Sequence, residues 1–161
     1  MCSPAATSCQ LGRQGERLGF MHRVAAVVAA IGFGGIAIFQ LALAAGAPWG
    51  HAAWGGANAH LSTAQRSASA AAVVFYAAAA LIVLGRAGML RARANAALFR
   101  WGTWFLAVAM AIGALPNFVS QSRWENLIFG PLALVLAILC VVVARSAATG
   151  QARDSQRIER G

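Results

Sequence analysis

Four long runs of apolar residues, none containing a charge, constrain this chain more than any other feature. They cover residues 24–46, 67–85, 101–119 and 126–144. The hydrocarbon core of a bilayer is about 30 Å thick, and a helix rising about 1.5 Å per residue needs about 20 apolar residues to cross it. Each run has that length. The sequence therefore predicts an all-α fold, an integral membrane four-helix bundle.

The composition also indicates lipid as the main solvent. Of 161 residues, 60% are hydrophobic and only 11% are charged, whereas soluble domains carry about 25% charged residues. We expect a disordered polar tail over 1–19, a membrane domain over 20–145 and a flexible tail over 146–161. A cleaved signal peptide is the alternative for the first run. Signal cores span about 7–15 residues, so we expect this longer run to be retained, whether translation starts at Met1 or Met21.

The basic residues predict the orientation. All thirteen are arginine, and eleven lie before the first run, between the second and third, or after the fourth; only Arg66 and Arg123 lie in the other loops. Because cytoplasmic loops carry the excess of basic residues, we expect both termini in the cytoplasm of a bacterial inner membrane. One helix made of the second and third runs would place arginines in hydrocarbon at about 3 kcal/mol each. We therefore expect a cytoplasmic turn between them.

Several function classes lack their usual residues in this sequence. The net charge of +9 does not indicate nucleic-acid binding, because the arginines flank the apolar runs instead of forming one face. No hydrolase or phosphate-loop motif occurs, and the four acidic residues all lie outside the four apolar runs. His51 and His60 match no common metal-ligand spacing. We expect no enzyme, no catalytic residue, no metal and no cofactor.

The two loops expected outside the cell hold the candidate binding residues. Because both emerge on one side, their groups can converge on an anionic headgroup or a small polar ligand, and the glycine-rich loop can fold back as a lid. In the alternative interpretation, Arg123 and Glu125 close a turn and Arg66 contacts lipid phosphates. The candidates are Trp49, His51, Trp54, Asn58, His60, Arg66, Asn117, Ser122, Arg123, Trp124 and Glu125.

These loops also carry a family resemblance. The stretches Ala47-Pro48-Trp49-Gly50, Trp54-Gly55-Gly56 and Ser122-Arg123-Trp124-Glu125 resemble a group of small four-transmembrane-helix membrane proteins common in actinobacteria. The resemblance implies the same fold and membrane location, points to the outer loops and implies no activity. The chain departs from the group at Ser62 and Gln121, where the group has a proline and a basic residue.

Two functions follow as expectations. The first is a non-enzymatic accessory protein that works with a membrane-protein partner or as a homo-oligomer in the lipid bilayer, without nucleic acid. The alternative is a small transporter or channel, monomeric or dimeric, gated by the tryptophan–glycine loop. Its polar path would be lined by Gln40, Tyr76 and Asn117, the only lining groups that the sequence makes evident. A third alternative, a membrane enzyme or redox protein, would use His51, His60 and Arg123.

Overall fold

The structure is a computed structural model that describes residues 4–90 and 96–158, with side chains described for 17–90 and 96–145. The described chain contains four long helices and no strand. They are α1 (Pro4–Ala45), α2 (Thr63–Arg86), α3 (Ala96–Val119) and α4 (Gly130–Ile158). Segments long and apolar enough to cross a membrane are Arg17–Ala45, Thr63–Arg86, Ala96–Val119 and Glu125–Arg145. The prediction of an all-α four-helix bundle is confirmed, and the chain is a multi-pass membrane protein.

The helices are longer than the apolar runs. Helix α1 begins at Pro4 and α4 ends at Ile158, so both helices continue past the apolar runs into the two segments predicted as tails, whose flexibility stays a prediction. Extending an existing helix adds a hydrogen bond per residue without a new nucleation step, and the Ala, Leu, Gln and Arg residues there favour helix. The predicted turn between α2 and α3 includes residues 91–95, which lie outside the described residues.

Local hydrogen bonds explain where α2 begins. The Ser62 hydroxyl accepts a hydrogen bond from the Gln65 backbone N–H at 3.3 Å, and the Gln65 side chain accepts one from the Ser62 N–H at 3.0 Å. This reciprocal pair is a capping box, which satisfies two N–H groups that a helix start leaves unpaired. It starts α2 at Thr63, four residues before the apolar run.

The helices form a ring in chain order, in which α1 and α3 each pack against α2 and α4. Fully buried apolar side chains fill the half of the bundle nearest the chain ends: Phe33, Val83, Leu106, Leu136 and Cys140. Close helix contacts surround this core. A Cβ on Gly85 would collide with the Phe99 ring, and one on Gly32 would lie 2.8 Å from Cδ2 of Leu136. Small residues thus allow the close packing on which helix association in lipid depends.

Two loops join the helices at the other end of the bundle, which we call the first-loop end. The first loop, residues 46–62, connects α1 to α2, and the third loop, residues 120–122, follows α3. A wide π-helical turn, Glu125–Phe129, leads into α4, and the Gly130 N–H bonds to the Glu125 carbonyl there. Pro131 has no N–H to continue the ordinary helical ladder, and such turns often occur at functional sites.

Candidate functional site: a cavity beneath the first loop

A cavity of about 640 Å³ lies between the helices at the first-loop end. Its volume falls in the range of about 300–1,000 Å³ that small-molecule sites occupy. Part of the first loop, Ala52–Gly55, borders it. The apolar walls include Ile36, Phe39, Tyr76, Met110 and Phe129, and the polar groups are on Gln40, Asn117, Ser120, Gln121 and Glu125.

The Trp54-Gly55-Gly56 segment has an unusual backbone. The φ angles are +53° at Trp54, +81° at Gly55 and +73° at Gly56. Glycine adopts positive φ without steric cost, whereas tryptophan is strained there. The Trp54 indole N–H donates to the hydroxyl of the fully buried Ser69 at 3.2 Å. That bond connects the loop to α2 and helps to hold Trp54 in its strained conformation at the edge of the cavity.

Glu125 connects the same segment to the start of α4. The Gly55 backbone N–H donates to both carboxylate oxygens, at 3.3 and 3.2 Å, and the Ser120 hydroxyl also donates to the carboxylate. Hydrogen bonds to a charged acceptor are stronger than neutral ones. Among the described side chains, Glu125 forms no ion pair with Arg123, so the turn closed by that pair is not the arrangement found. Glu125 instead holds the first loop over the cavity.

Ser122 and His51 give the loop two further contacts. The buried Ser122 hydroxyl donates to the His51 carbonyl at 2.8 Å, and Nδ1 of His51 donates to the Gly56 carbonyl at 3.1 Å. The first contact connects the first loop to the third, and the second keeps the first loop compact. Both residues therefore have structural roles next to the cavity.

Gln40 provides the most informative group in the cavity wall. Its Oε1 is buried and accepts no hydrogen bond from any group that the structure describes. Leaving a buried acceptor unpaired costs about 1–3 kcal/mol. By contrast, the Asn117 side chain donates to the Gly113 carbonyl at 3.1 Å. Gln40, Tyr76 and Asn117, the three groups predicted to line a polar path, all line this cavity.

An apolar hollow of about 470 Å³ lies beside the cavity. Trp49, His51 and Trp124 line it, together with Pro48 and Phe39. The Trp49 ring stacks on Phe39 with 6.3 Å between centroids and 7° between planes. Phe39 is shared with the wall of the main cavity, so the two predicted tryptophans lie next to the candidate site but outside it.

Four predicted residues do not join the site. Arg66 donates from Nε to the Ala44 carbonyl at 3.0 Å, where it satisfies a carbonyl near the end of α1 that has no helical partner. Asn58, His60 and Arg123 are exposed, line neither space, and have no side-chain hydrogen bond within the described part of the chain. The predicted residues that line the cavity are Trp54, Asn117 and Glu125.

The prediction missed Phe39, Ser69 and Phe129. A phenylalanine in an apolar run looks like any lipid-facing residue, so nothing in the sequence marked Phe39 or Phe129. Ser69 carried a weak signal, because it is a hydroxyl among alanines early in an apolar run, and such groups often bond to a neighbouring segment in lipid. The side chains described include no group of three His, Cys, Asp or Glu residues placed to hold a metal.

Comparisons with protein-family models, curated proteins and solved structures found no match for this chain. The resemblance to the actinobacterial four-span group therefore stays a prediction.

Proposed function

We propose that this protein is a non-enzymatic accessory membrane protein that binds a small amphipathic amine in the cavity beneath the first loop. The unpartnered Gln40 oxygen carries the proposal, because Gln40 lines the cavity and a rotation of its side chain lets the buried oxygen accept a hydrogen bond from a ligand N–H. An aliphatic or aromatic body would contact Phe39, Tyr76 and Phe129.

The charge of the cavity favours an amine over an acid. Its lining contains one carboxylate, that of Glu125, and no arginine. Aromatic faces also attract cations, whereas a carboxylate ligand would be repelled by Glu125 and would find no arginine to pair with. A neutral alcohol of the same shape should bind with intermediate affinity.

We place the protein in a bacterial cytoplasmic membrane with both termini in the cytoplasm. The support is the arginine distribution, eleven against two, read with the positive-inside rule. In this orientation the first loop faces the outside, and the ligand reaches the cavity from there. An accessory role then consists of reporting or presenting the ligand to a membrane-protein partner, or to a second copy of the chain.

A binding role fits the packing better than a transport role. Phe33, Leu106 and Leu136 are fully or almost fully buried, and they belong to the core that fills the bundle beyond the cavity.

A transporter is the second candidate, and the meeting of Gln40, Tyr76 and Asn117 in one cavity favours it. Proteoliposomes containing the protein distinguish the two, because only a transporter gives amine flux that Gln40→Leu and Asn117→Leu abolish.

The binding test uses two matched glycines. A Cβ meets no atom within 4 Å at either Gly113 or Gly35, but only Gly113 lines the cavity. Gly113→Leu should fill the cavity, and Gly35→Leu should leave it open; both remove a glycine from a helix.

The probes are 2-phenylethylamine, 2-phenylethanol and 3-phenylpropanoate, titrated by calorimetry against purified protein in nanodiscs. We expect the amine to bind most tightly and the acid most weakly, with binding lost in Gly113→Leu and kept in Gly35→Leu. Equal binding by both variants, or preference for the acid, would contradict the proposal.

Affinity purification from the host, with mass spectrometry against an unrelated four-span control, tests the accessory role through a stoichiometric partner.

A further inference from the structure

The end of the bundle opposite the cavity brings a half-buried arginine against the last turn of the apolar part of α4. Arg86, the final residue of α2, donates from Nη2 to the Ala144 carbonyl at 3.1 Å. Its Nε–H is buried and has no hydrogen-bond partner in the described chain. A guanidinium is always charged and can only donate. The positive charge of Arg86 therefore has no counter-charge, and its Nε–H has no acceptor, in the described protein.

A second arginine approaches the first. Arg100, in the early turns of α3, is close enough to Arg86 for the two positive charges to repel each other. The contact between Gly85 and Phe99 holds these two chain segments together. The only carboxylate among the described side chains is that of Glu125, at the far end of the bundle. Two converging cations thus lack a counter-charge in the described part of the protein.

We propose that Arg86 and Arg100 bind a phosphate group, that of an anionic phospholipid headgroup. Arginine forms strong, directed hydrogen bonds with phosphate oxygens, and basic pockets between transmembrane helices bind anionic headgroups. Trp101 lies beside the pair, 66% exposed, with the Arg100 guanidinium 5.4 Å from its ring centroid. Exposed tryptophans prefer headgroup depth, which puts the two arginines at the level of lipid phosphates.

The test is native mass spectrometry of delipidated protein titrated with dioleoyl phosphatidylglycerol, dioleoyl phosphatidylcholine or inorganic phosphate. The site variants are Arg86→Gln and Arg100→Gln. The control is Arg23→Gln, which removes the same charge from an exposed position at the same end of the bundle. If Arg86→Gln does not fold, Arg100→Gln carries the test, because Arg100 is exposed.

We expect one phosphatidylglycerol to bind at least about tenfold more tightly than phosphatidylcholine, and either site variant to lose about tenfold in affinity. Arg23→Gln should change the affinity less than about twofold, as expected for a screened surface charge. Inorganic phosphate that binds equally well, and displaces the lipid, would show that the site takes free phosphate instead. Equal losses in all three variants, or no preference for the anionic lipid, would overturn the proposal.

Discussion

The hydrogen bonds between the first loop and Glu125 hold the loop over the cavity, so removing them should let the loop open. Glu125→Ala removes the acceptor for the Gly55 N–H, whose bonds measure 3.3 and 3.2 Å. A hydrogen bond to a charged group contributes about 1.5–3 kcal/mol. Losing it should raise the population of the open loop about 10- to 150-fold, since 1.4 kcal/mol is a factor of ten. Glu125→Gln keeps an uncharged acceptor, so a loss of about 1 kcal/mol should raise that population only about fivefold.

Hydrogen exchange of the first loop, followed by mass spectrometry in nanodiscs, measures this opening directly, because protected amides exchange from the open state. The matched control is Ser62→Ala, which breaks the capping box at the other end of the same loop. We expect faster exchange over residues 52–56 in the order Glu125→Ala, Glu125→Gln, wild type. Unchanged exchange in Glu125→Ala, or an equal effect of Ser62→Ala on residues 52–56, would show that Glu125 does not hold the first loop closed.

Three further predictions concern stability, measured by unfolding in detergent. Gln40→Leu should raise the free energy of unfolding by about 1–3 kcal/mol in the absence of ligand, because it removes a buried acceptor without a described partner; a loss of stability would show that the oxygen has one. Gly85→Ala should cost about 1–3 kcal/mol by forcing the Phe99 ring aside, while Gly35→Ala should be neutral or stabilising by up to about 1 kcal/mol. Arg66→Gln should cost about 0.5–1 kcal/mol by uncapping α1, and an unchanged midpoint would refute that role.

The fold was predictable because lipid imposes simple rules. A crossing segment must satisfy its own backbone and be apolar, so residues 67–85, flanked by Arg66 and Arg86, could be read as a helix from composition alone. The helix ends were less predictable. The start of α2 depends on the Ser62 and Gln65 pair, and the close approach at Gly85 depends on a ring fourteen positions away, on another helix.

The site was predictable only in outline. Two loops on one side had to lie near each other, and Glu125 and Trp54 do lie at one cavity. Which groups face inward depends on backbone angles and distant partners that a sequence does not display. The positive φ at Trp54 and the Arg66 bond to a carbonyl 22 residues earlier are two such cases. Gln40 was visible as an amide in an apolar run, but only the structure shows its oxygen buried without a partner.

The proposed orientation and cavity together require that water and ligand reach the space beneath the first loop from outside the cell. Thiol labelling tests it, because only a water-exposed cysteine forms the reactive thiolate. In a chain whose native cysteines are replaced by alanine, Gly113→Cys lies in the cavity and Gly35→Cys on the exposed face of α1. A small membrane-impermeant thiol reagent added to intact cells should label Gly113→Cys, with 2-phenylethylamine slowing the reaction, and should leave Gly35→Cys unlabelled. Labelling of Gly113→Cys that is absent, or no faster than that of Gly35→Cys, would contradict the claim.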